Sequence, residues 1–132
     1  MIVRTTGEAP IVEWGNGQSV RILVERDRMG FAIAHTIVAA GTESRMQYTQ
    51  HLEACFCISG RGEIRNADET LAHPIGPGTL YALDQHDPHV LVAGPGEDLH
   101  LLSVFNPPLT GDERHELSPD GFSSYGTRTP IA

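Results

Sequence analysis

One carboxylate, one phenol and one imidazole are spaced along two segments of the chain in a way that could build a metal site. Glu53 lies in a strand-like run between the glycine turns at Gly41 and Gly60. Tyr81 and His89 lie in the segment GTLYALDQHDPH, on a predicted strand and in the turn after it. A small β-barrel would bring the two segments together, so that the three side chains face one cavity. Three protein ligands leave coordination positions open for a substrate, as in catalytic metal sites.

The chemistry of these donors favours iron. A Glu oxygen, a Tyr oxygen and a His nitrogen form a mostly hard ligand set, which suits Fe(II) and also admits Zn(II). Spacing alone leaves a simpler interpretation open, in which Glu53 faces solvent and Tyr81 packs in the core. His86 and His51 are rival ligands. We expect His86, in a loop, to point to solvent, and His51 to share the face of Glu53 and contact the substrate.

Composition and charge narrow the class of protein. The 132 residues suffice for one domain with a single core. The net charge of −8 argues against a nucleic-acid or anionic-membrane partner, because either would need a basic face. Cys55 and Cys57 do not have a zinc-finger spacing and are expected to be reduced core residues. The longest apolar runs fall short of the ~20 residues of a membrane span, and residues 1–20 do not resemble a signal peptide. We therefore expect a cytoplasmic protein.

Short strand-like runs separated by Gly and Pro turns predict an all-β sandwich or barrel. The runs predicted as strands are 1–4, 19–25, 31–39, 46–50, 54–59, 62–65, 70–73, 79–83, 89–93 and 99–105. Residues 110–117 are the best candidate for a single helical turn. We expect a barrel at residues 1–117 and a tail at 118–132 that is flexible or closes over the barrel mouth as a lid.

The two segments resemble the sequence motifs of the cupins. The matching positions are Gly41, Glu53, Gly60, Pro77, Gly78 and His89. Gln47 and Thr49 stand where the first cupin motif has two histidines. Two of the usual ligands therefore remain, and Tyr81 on the strand between them could supply a third. The expected fold class is an all-β cupin, a small antiparallel β-barrel or jelly roll.

Strings along nearly the whole chain resemble the ectoine synthase family of small cupins. These strings are MIVR at 1–4, MGF at 29–31, AGTE at 40–43, HLEA at 51–54, GRGE at 60–63, GTLYALD at 78–84, HDPH at 86–89 and VFNPPLTG at 104–111. The combination is specific, because a generic cupin would not share the YALD and FNPPLTG strings. The resemblance implies an iron-dependent hydro-lyase of compatible-solute synthesis. Such an enzyme cyclises N-γ-acetyl-L-2,4-diaminobutyrate to ectoine with loss of water.

The resemblance also implies roles for individual residues. The family's metal ligands fall on Glu53, Tyr81 and His89. The substrate-binding positions fall on Arg21, Thr36, Tyr48, Ser103, Phe105, Glu113 and His115, and the candidates for proton transfer are Tyr48, His51 and Glu113. Arg21 and Thr36 could hold the substrate carboxylate, and Phe105 could supply an apolar wall. The family is typically a cytoplasmic head-to-tail homodimer.

Three departures from the family concern the pocket rather than the metal ligands. Ser103 stands where the family usually has a cysteine, and Ala34 replaces a polar residue. Trp14 lies seven residues before Arg21, further than the pocket tryptophan of the family. These changes bear on substrate identity more than on fold.

Three other interpretations are open. A related cupin could act on a different N-acetylated amino acid, and a non-catalytic module could bind a small zwitterion in a dry barrel. A cupin dioxygenase or isomerase is the third, and the loss of both motif histidines at Gln47 and Thr49 counts against it.

Overall fold

The computed structural model describes residues 1–117 and 119–125, and these residues form two facing β-sheets. The strands are β1 Ile11–Glu13, β2 Gly17–Leu23, β3 Ala32–Val38, β4 Glu43–Met46, β5 Leu52–Ser59, β6 Gly62–Asn66, β7 Ala72–Ile75, β8 Leu80–Leu83, β9 His89–Ala93, β10 Leu99–Asn106, β11 His115–Leu117 and β12 Ser123–Tyr125. Single 3₁₀ turns occupy Thr6–Glu8 and Glu25–Asp27.

Each sheet has six strands. Sheet I has the order β1-β2-β3-β10-β5-β8, and sheet II has the order β11-β12-β4-β9-β6-β7. The neighbours are antiparallel except at Ser123, which pairs in parallel with Met46. The chain repeatedly switches between the two sheets, which wraps them around a shared interior. The expected all-β cupin barrel is confirmed in this arrangement.

The core lies between the sheets because side chains alternate along each strand. On β5 the inward residues Glu53, Cys55 and Cys57 are buried, whereas Phe56 and Ile58 on the opposite face are exposed. This period of two is the signature of a sheet with one packed face. The largest fully buried side chains are Phe105, Leu91, Leu99, Leu101 and Leu109. Polar residues of the inner face therefore lie in a largely apolar interior.

The turn from β5 to β6 requires glycine at Gly60. Its φ is +88°, and a Cβ there would collide with the backbone carbonyl of Asp98. Only glycine reaches this conformation at low cost. The turn fixes the start of β6 against β9, and β9 carries His89.

Three predicted elements differ from the structure. Residues 1–4 are not in a strand. The third strand is Glu43–Met46 rather than 46–50, and the next residue, Gln47, donates its N–H to the Ser123 carbonyl at 2.9 Å. Residues 110–117 hold no helical turn among the residues described, and His115–Leu117 instead pairs with β12.

Part of the predicted tail is described. Residues 119–125 lead into β12, which lies between β11 and β4 at the edge of sheet II. The rest of the tail prediction, at residues 118 and 126–132, lies outside the described residues.

Within residues 1–117 and 119–125, none of the helices has the length and apolar character needed to cross a membrane.

Candidate functional site

The three predicted metal donors occupy the inner faces of three strands. Glu53 and Tyr81 lie on the neighbouring strands β5 and β8, where Cys55 is directly opposite Tyr81. His89 begins β9 in the facing sheet. Glu53 and Tyr81 line a closed interior cavity, and Tyr81 and His89 line an open groove of about 550 Å³ on the other side. Tyr81 thus lines both spaces, the interior cavity with Glu53 and the groove with His89.

His89 is arranged as a metal-binding imidazole would be. Its Nδ1–H donates to the Asp87 carbonyl at 2.9 Å, which leaves the lone pair on Nε2. Nε2 is buried and has no hydrogen-bond partner among the residues described. Burial lowers the pKa of His89 below its ordinary value, so the ring is neutral at pH 7. A backbone carbonyl that fixes the tautomer of a histidine is the usual support of a metal ligand.

Glu53 is a buried acid and Tyr81 is a half-buried one. Burial raises the pKa of Glu53 to about 7, and the pKa of the Tyr81 phenol is also raised well above its ordinary value by burial. A bound cation would reverse both shifts, because it favours the charged form of each ligand. Among the described residues, groups of three His, Cys, Asp or Glu suited to a metal are absent. The third donor here is a phenol, so the trio fits a hard metal ion such as iron.

The raised pKa of Glu53 predicts an unusual pH dependence of the metal-free protein. Its folded-state pKa of about 7 exceeds the ordinary value of 4.5, so its contribution to stability is full below pH 4.5 and is lost as pH rises through about 7. Between pH 5 and pH 8 the free energy of unfolding should fall by about 2–3 kcal/mol from this group. Urea unfolding of the chelator-treated protein should show the loss, and Glu53→Gln should remove that part of the pH dependence. If the free energy of unfolding of Glu53→Gln falls with pH as steeply as that of the parent, the prediction is contradicted.

The interior cavity beside the metal donors has a volume of about 20 Å³, enough for one water molecule. Its lining residues are Trp14, Ser19, Thr36, Met46, Tyr48, Glu53, Cys55, Tyr81, Leu91, Leu101, Ser103, His115 and Tyr125. Predicted residues that line it directly are Thr36, Tyr48, Glu53, Tyr81, Ser103 and His115. Predicted residues packed behind this lining, or beside it, are Arg21, His51, His89, Phe105 and Glu113.

Arg21 is a buried cation at the wall of this pocket. It is 2% exposed, its Nε–H donates to Ser19 Oγ at 2.8 Å, and its Nη2–H donates to the Glu113 carbonyl at 2.8 Å. Its guanidinium lies 5.4 Å from the centre of the Tyr125 ring. Nη1 is buried without a hydrogen bond to any described residue, although the Glu113 carboxylate is 3.6 Å away. A buried N–H of this kind is costly unless a ligand accepts from it.

Glu113 is held as a carboxylate. Burial alone would raise its pKa, but the backbone N–H groups of Thr110 and Gly111, which donate at 2.7 and 3.0 Å, bring the pKa below its ordinary value. The side chain is therefore charged at pH 7 and balances Arg21.

A hydrogen-bonded chain fixes the tautomer of His115. The Ser123 hydroxyl donates to the Arg45 carbonyl at 3.2 Å, so Ser123 Oγ accepts from His115 Nδ1–H at 2.9 Å. His115 Nε2 then accepts from the Tyr48 hydroxyl at 3.2 Å. Burial, with Arg21 next in importance, lowers the pKa of His115 to about 4, so the ring is a neutral proton acceptor.

His51 and His86 are both fastened to backbone carbonyls. His51 Nδ1–H donates to the Pro107 carbonyl at 2.7 Å, and the ring packs edge-on to Phe105 and Tyr125. The expectation that His86 points to solvent was wrong. Its Nδ1–H lies 2.9 and 3.1 Å from the carbonyls of Tyr48 and His51, so it ties the loop after β4 in place.

Three residues of the pocket were not predicted as site residues. Tyr125 stacks on Tyr48 with ring centroids 4.7 Å apart, and Trp14 packs against His115 at 5.6 Å. The buried indole N–H of Trp14 lacks a partner in the described part of the chain. Cys55 faces the cavity between Ser103 and Tyr81, and burial raises the pKa of its thiol well above the ordinary value. Trp14 could have been predicted as a pocket residue, because it lies on the same side of Arg21 as the pocket tryptophan of the family, seven residues before it.

The departures at Ser103 and Ala34 are both accommodated. Ser103 is fully buried, and its Oγ lies 2.8 Å from Thr36 Oγ1. Ala34 is paired directly with Ser103 on β3 and is 1% exposed. The hydroxyl of Ser103 is thus satisfied within the sheet.

The fold and the polar pocket inside the barrel define the chain as a cupin. A cupin 2 conserved barrel domain protein from Salinispora arenicola superposes with a TM-score of 0.67 at 20% identity, covering 80% of this chain and 87% of that chain, which shows the fold alone.

Sequence similarity gives the particular family. The sequence profile of ectoine synthase matches residues 1–124. L-ectoine synthase of Desulfatibacillum aliphaticivorans is 50% identical over 104 residues, which are 79% of this chain and 78% of that protein. The crystal structure of ectoine synthase from P. lautus has a TM-score of 0.77 at 40% identity, covering 84% of this chain and 81% of that chain. The chain belongs to the ectoine synthase family, and it is therefore a lyase of ectoine biosynthesis that acts on a small molecule.

Proposed function

We propose that this protein cyclises N-γ-acetyl-L-2,4-diaminobutyrate to ectoine with loss of water, at an iron ion held by Glu53, Tyr81 and His89. The observation that carries the proposal is the buried Nε2 of His89, which lacks a hydrogen-bond partner among the described residues. Tyr81 lines a groove with His89 and a cavity with the buried Glu53. A neutral imidazole, a carboxylate and a phenolate would together neutralise the charge of Fe(II). Such an ion, when bound, supplies Lewis-acid polarisation of a carbonyl oxygen.

Two unpartnered donors favour a substrate carboxylate on the other side of the pocket. Arg21 Nη1 and the indole N–H of Trp14 are both buried and lack partners among the residues described. A carboxylate could accept from both, and the bonds to Arg21 would be charge-assisted. Thr36 lines the same cavity and its hydroxyl could donate to the same group. Anchoring the carboxylate would help to fold the substrate so that its α-amine meets the acetamide carbonyl, a proximity effect worth up to ~7–11 kcal/mol of barrier.

Proton transfer is assigned to groups whose charge state suits it. Ring closure removes protons from the α-amine and delivers them to the departing oxygen, which leaves as water. The Tyr48 hydroxyl can give a proton to the departing oxygen, and Nε2 of neutral His115, which accepts from this hydroxyl, can take a proton. Glu113, a carboxylate, can accept from the amine, and His51 is the alternative acceptor.

The pocket must open to admit this substrate. A cavity of about 20 Å³ holds one water, whereas the substrate has eleven non-hydrogen atoms. Tyr125 lies among Tyr48, Phe105 and His115, where the substrate would bind. We infer that the ring of Tyr125 moves out when substrate enters.

An NMR assay tests the function directly. Purified protein loaded with Fe(II) is incubated with N-γ-acetyl-L-2,4-diaminobutyrate beside a chelator-treated sample and Glu53→Ala. Ectoine formed only by the intact, iron-loaded protein is the expected result. A folded, iron-loaded protein that leaves the substrate unchanged would overturn the proposal and favour a relative with another N-acetylated amino acid as substrate. Ser103→Cys and Ala34→Asn would then be tested for recovery of turnover.

We also propose that the protein is a cytoplasmic homodimer. An apolar patch on the outer face of sheet I supports the dimer: Phe56, Ile58 and Leu80 are 44%, 53% and 64% exposed, and Phe56 pairs directly with Leu80. A contiguous apolar patch on a sheet face is typical of an interface. Synthesis of a compatible solute from cellular precursors supports the cytoplasm.

A charge placed in the patch should separate the subunits. Leu80→Glu is expected to halve the mass measured by light scattering during size-exclusion chromatography, because a carboxylate would be buried without a partner in the dimer. Leu71→Glu is the matched control, since Leu71 is 59% exposed and lies outside the patch. A Leu80→Glu protein with the mass of the parent would place the interface elsewhere.

A further inference from the structure

A row of polar side chains crosses the inner face of sheet I towards the candidate metal donors. Ser103 on β10 pairs directly with Cys55 on β5, and Cys55 pairs directly with Tyr81 on β8. Thr36 on β3 is the diagonal neighbour of Ser103, because it pairs with Leu101. Directly opposite side chains on antiparallel strands lie within contact distance. The row therefore joins the substrate side of the pocket to the metal side.

Hydrogen bonds connect the members of this row. Thr36 Oγ1 and Ser103 Oγ are 2.8 Å apart, and Ser103 Oγ and Cys55 Sγ are 3.4 Å apart. Cys55 lines the interior cavity with Glu53 and Tyr81; the Tyr81 hydroxyl donates to its thiol, and the thiol donates to the Glu53 carboxylate. Cys55 thus links a predicted substrate residue to two predicted metal donors.

The second cysteine of β5 has a different environment. Cys57 also faces inward and is fully buried, but its thiol is directed to the carbonyls of Ser59 and Gly60, at 3.5 and 3.8 Å. In the described part of the chain it does not line the interior cavity. Two buried thiols on the same face of one strand therefore differ in their position relative to the site, and Cys57 provides a matched control.

We propose that Cys55 is a positioning residue for the metal donor Tyr81. Its thiol accepts from the Ser103 hydroxyl, which Thr36 holds in place, and in the metal-free protein it also accepts from the Tyr81 hydroxyl. Once Tyr81 has lost its proton as a metal ligand, the S–H group is the donor in this contact. This contact sets the direction in which the oxygen approaches the ion and the electron density that the oxygen donates. The inference rests on the proposed function, because it takes Tyr81 as an iron ligand.

Ser103 and Cys55 form a cross-strand pair. The pair consists of one thiol and one hydroxyl, with the thiol on the strand that adjoins Tyr81. In this chain a thiol on β5 is in contact with the metal donors themselves.

Absorption spectroscopy of the iron-loaded protein tests the inference. A phenolate bound to Fe(III) gives a visible charge-transfer band whose energy falls when a hydrogen bond to the phenolate oxygen is removed. Parent, Cys55→Ala, Cys55→Ser, Ser103→Ala and Cys57→Ser proteins are loaded with Fe(II), titrated for affinity, and oxidised to Fe(III) before the spectra are recorded. Tyr81→Phe identifies the band.

Cys55→Ala is expected to move the band to longer wavelength and to weaken Fe(II) binding about 10–100-fold, the usual cost of losing an outer contact to a metal ligand. Cys55→Ser should stay closer to the parent because a hydroxyl also donates, Ser103→Ala should produce a smaller shift, and Cys57→Ser should match the parent. If Cys55→Ala has the same band as the parent, the inference about Cys55 is overturned and the proposed ligand set is not. A parent protein without the band, identical to Tyr81→Phe, would overturn the proposed ligand set and the inference together.

Discussion

Replacing His89 with alanine is expected to abolish iron binding and turnover. His89 supplies a neutral nitrogen whose lone pair is fixed by the Asp87 carbonyl, and the ring is 2% exposed. Loss of this ligand should weaken Fe(II) binding by more than the about 10–100-fold that changes around a ligand cost. Alanine also removes the buried Nε2, which lacks a partner among the described residues. The metal-free variant should therefore lose only the stability that comes from the packing of the ring.

His73→Ala is the control for this prediction, because His73 is an exposed histidine of β7. It should retain the iron content and the activity of the parent. Iron is measured by a colorimetric chelator after gel filtration, and turnover by NMR. A His89→Ala protein that keeps one iron per chain and normal turnover would contradict the assignment of His89 as a ligand.

The strands that carry the candidate metal donors could largely be predicted from the sequence, and His89–Ala93 was predicted with its observed bounds. Hydrophobic alternation does not select their inward faces, because on β5 the apolar Phe56 and Ile58 face outwards while Glu53 faces inwards. Glu53 and His89 were selected from the cupin motifs and Tyr81 from its place on the strand between them, and their role as metal ligands stays a prediction.

Contacts made by the end of the chain could not be predicted in the same way. Tyr125 enters the pocket because β12 is held by one parallel pairing with β4 and by β11, and a three-residue strand leaves almost no periodic signal. The same pairing makes His115–Leu117 a strand although its local pattern favoured a helical turn. Tertiary contacts override weak local preferences in such short segments.

The role of Cys55 was missed for a different reason. A buried cysteine two residues from Glu53 looks like a core residue in any strand, and it is one here. Its significance depends on which residues stand opposite it, Ser103 on one side and Tyr81 on the other. That information is in the register between strands, which is set by turns and packing far along the chain.

Replacing Arg21 with methionine is expected to raise KM for N-γ-acetyl-L-2,4-diaminobutyrate about 10- to 150-fold, with a smaller change in kcat. The estimate corresponds to loss of a charge-assisted hydrogen bond of about 1.5–3 kcal/mol. Methionine has nearly the length of the arginine stem and keeps its packing beneath Tyr125. Arg21→Lys should give an intermediate KM, because lysine keeps the charge but not the planar fork that bonds both Ser19 and the Glu113 carbonyl.

Arg4→Met is the control for the loss of an arginine that forms an ion pair away from the pocket. Arg4 forms an ion pair with Asp27 at 2.7 Å, and this contact is the first cause that lowers the pKa of Asp27 to about 2. Arg4 contacts Asp27 and the Ile22 carbonyl, which do not line the interior cavity, whereas Arg21 contacts two of its lining residues, Ser19 and Tyr125. Arg4→Met should lower the urea midpoint and leave KM unchanged, which separates general destabilisation from loss of a substrate contact.

A substrate without a carboxylate distinguishes an anchor from a structural cation. N-acetyl-1,3-diaminopropane has the amine and the acetamide of the proposed substrate but lacks its carboxylate. If Arg21 Nη1 binds that carboxylate, the parent should bind this analogue weakly, and Arg21→Met should bind it as well as the parent does, because the missing interaction is the same. If Arg21 acts only by holding the backbone at Glu113, the variant should lose affinity for both compounds by the same factor. Isothermal titration of the chelator-treated proteins with both compounds decides between these outcomes, and equal losses would remove Arg21 from the substrate site.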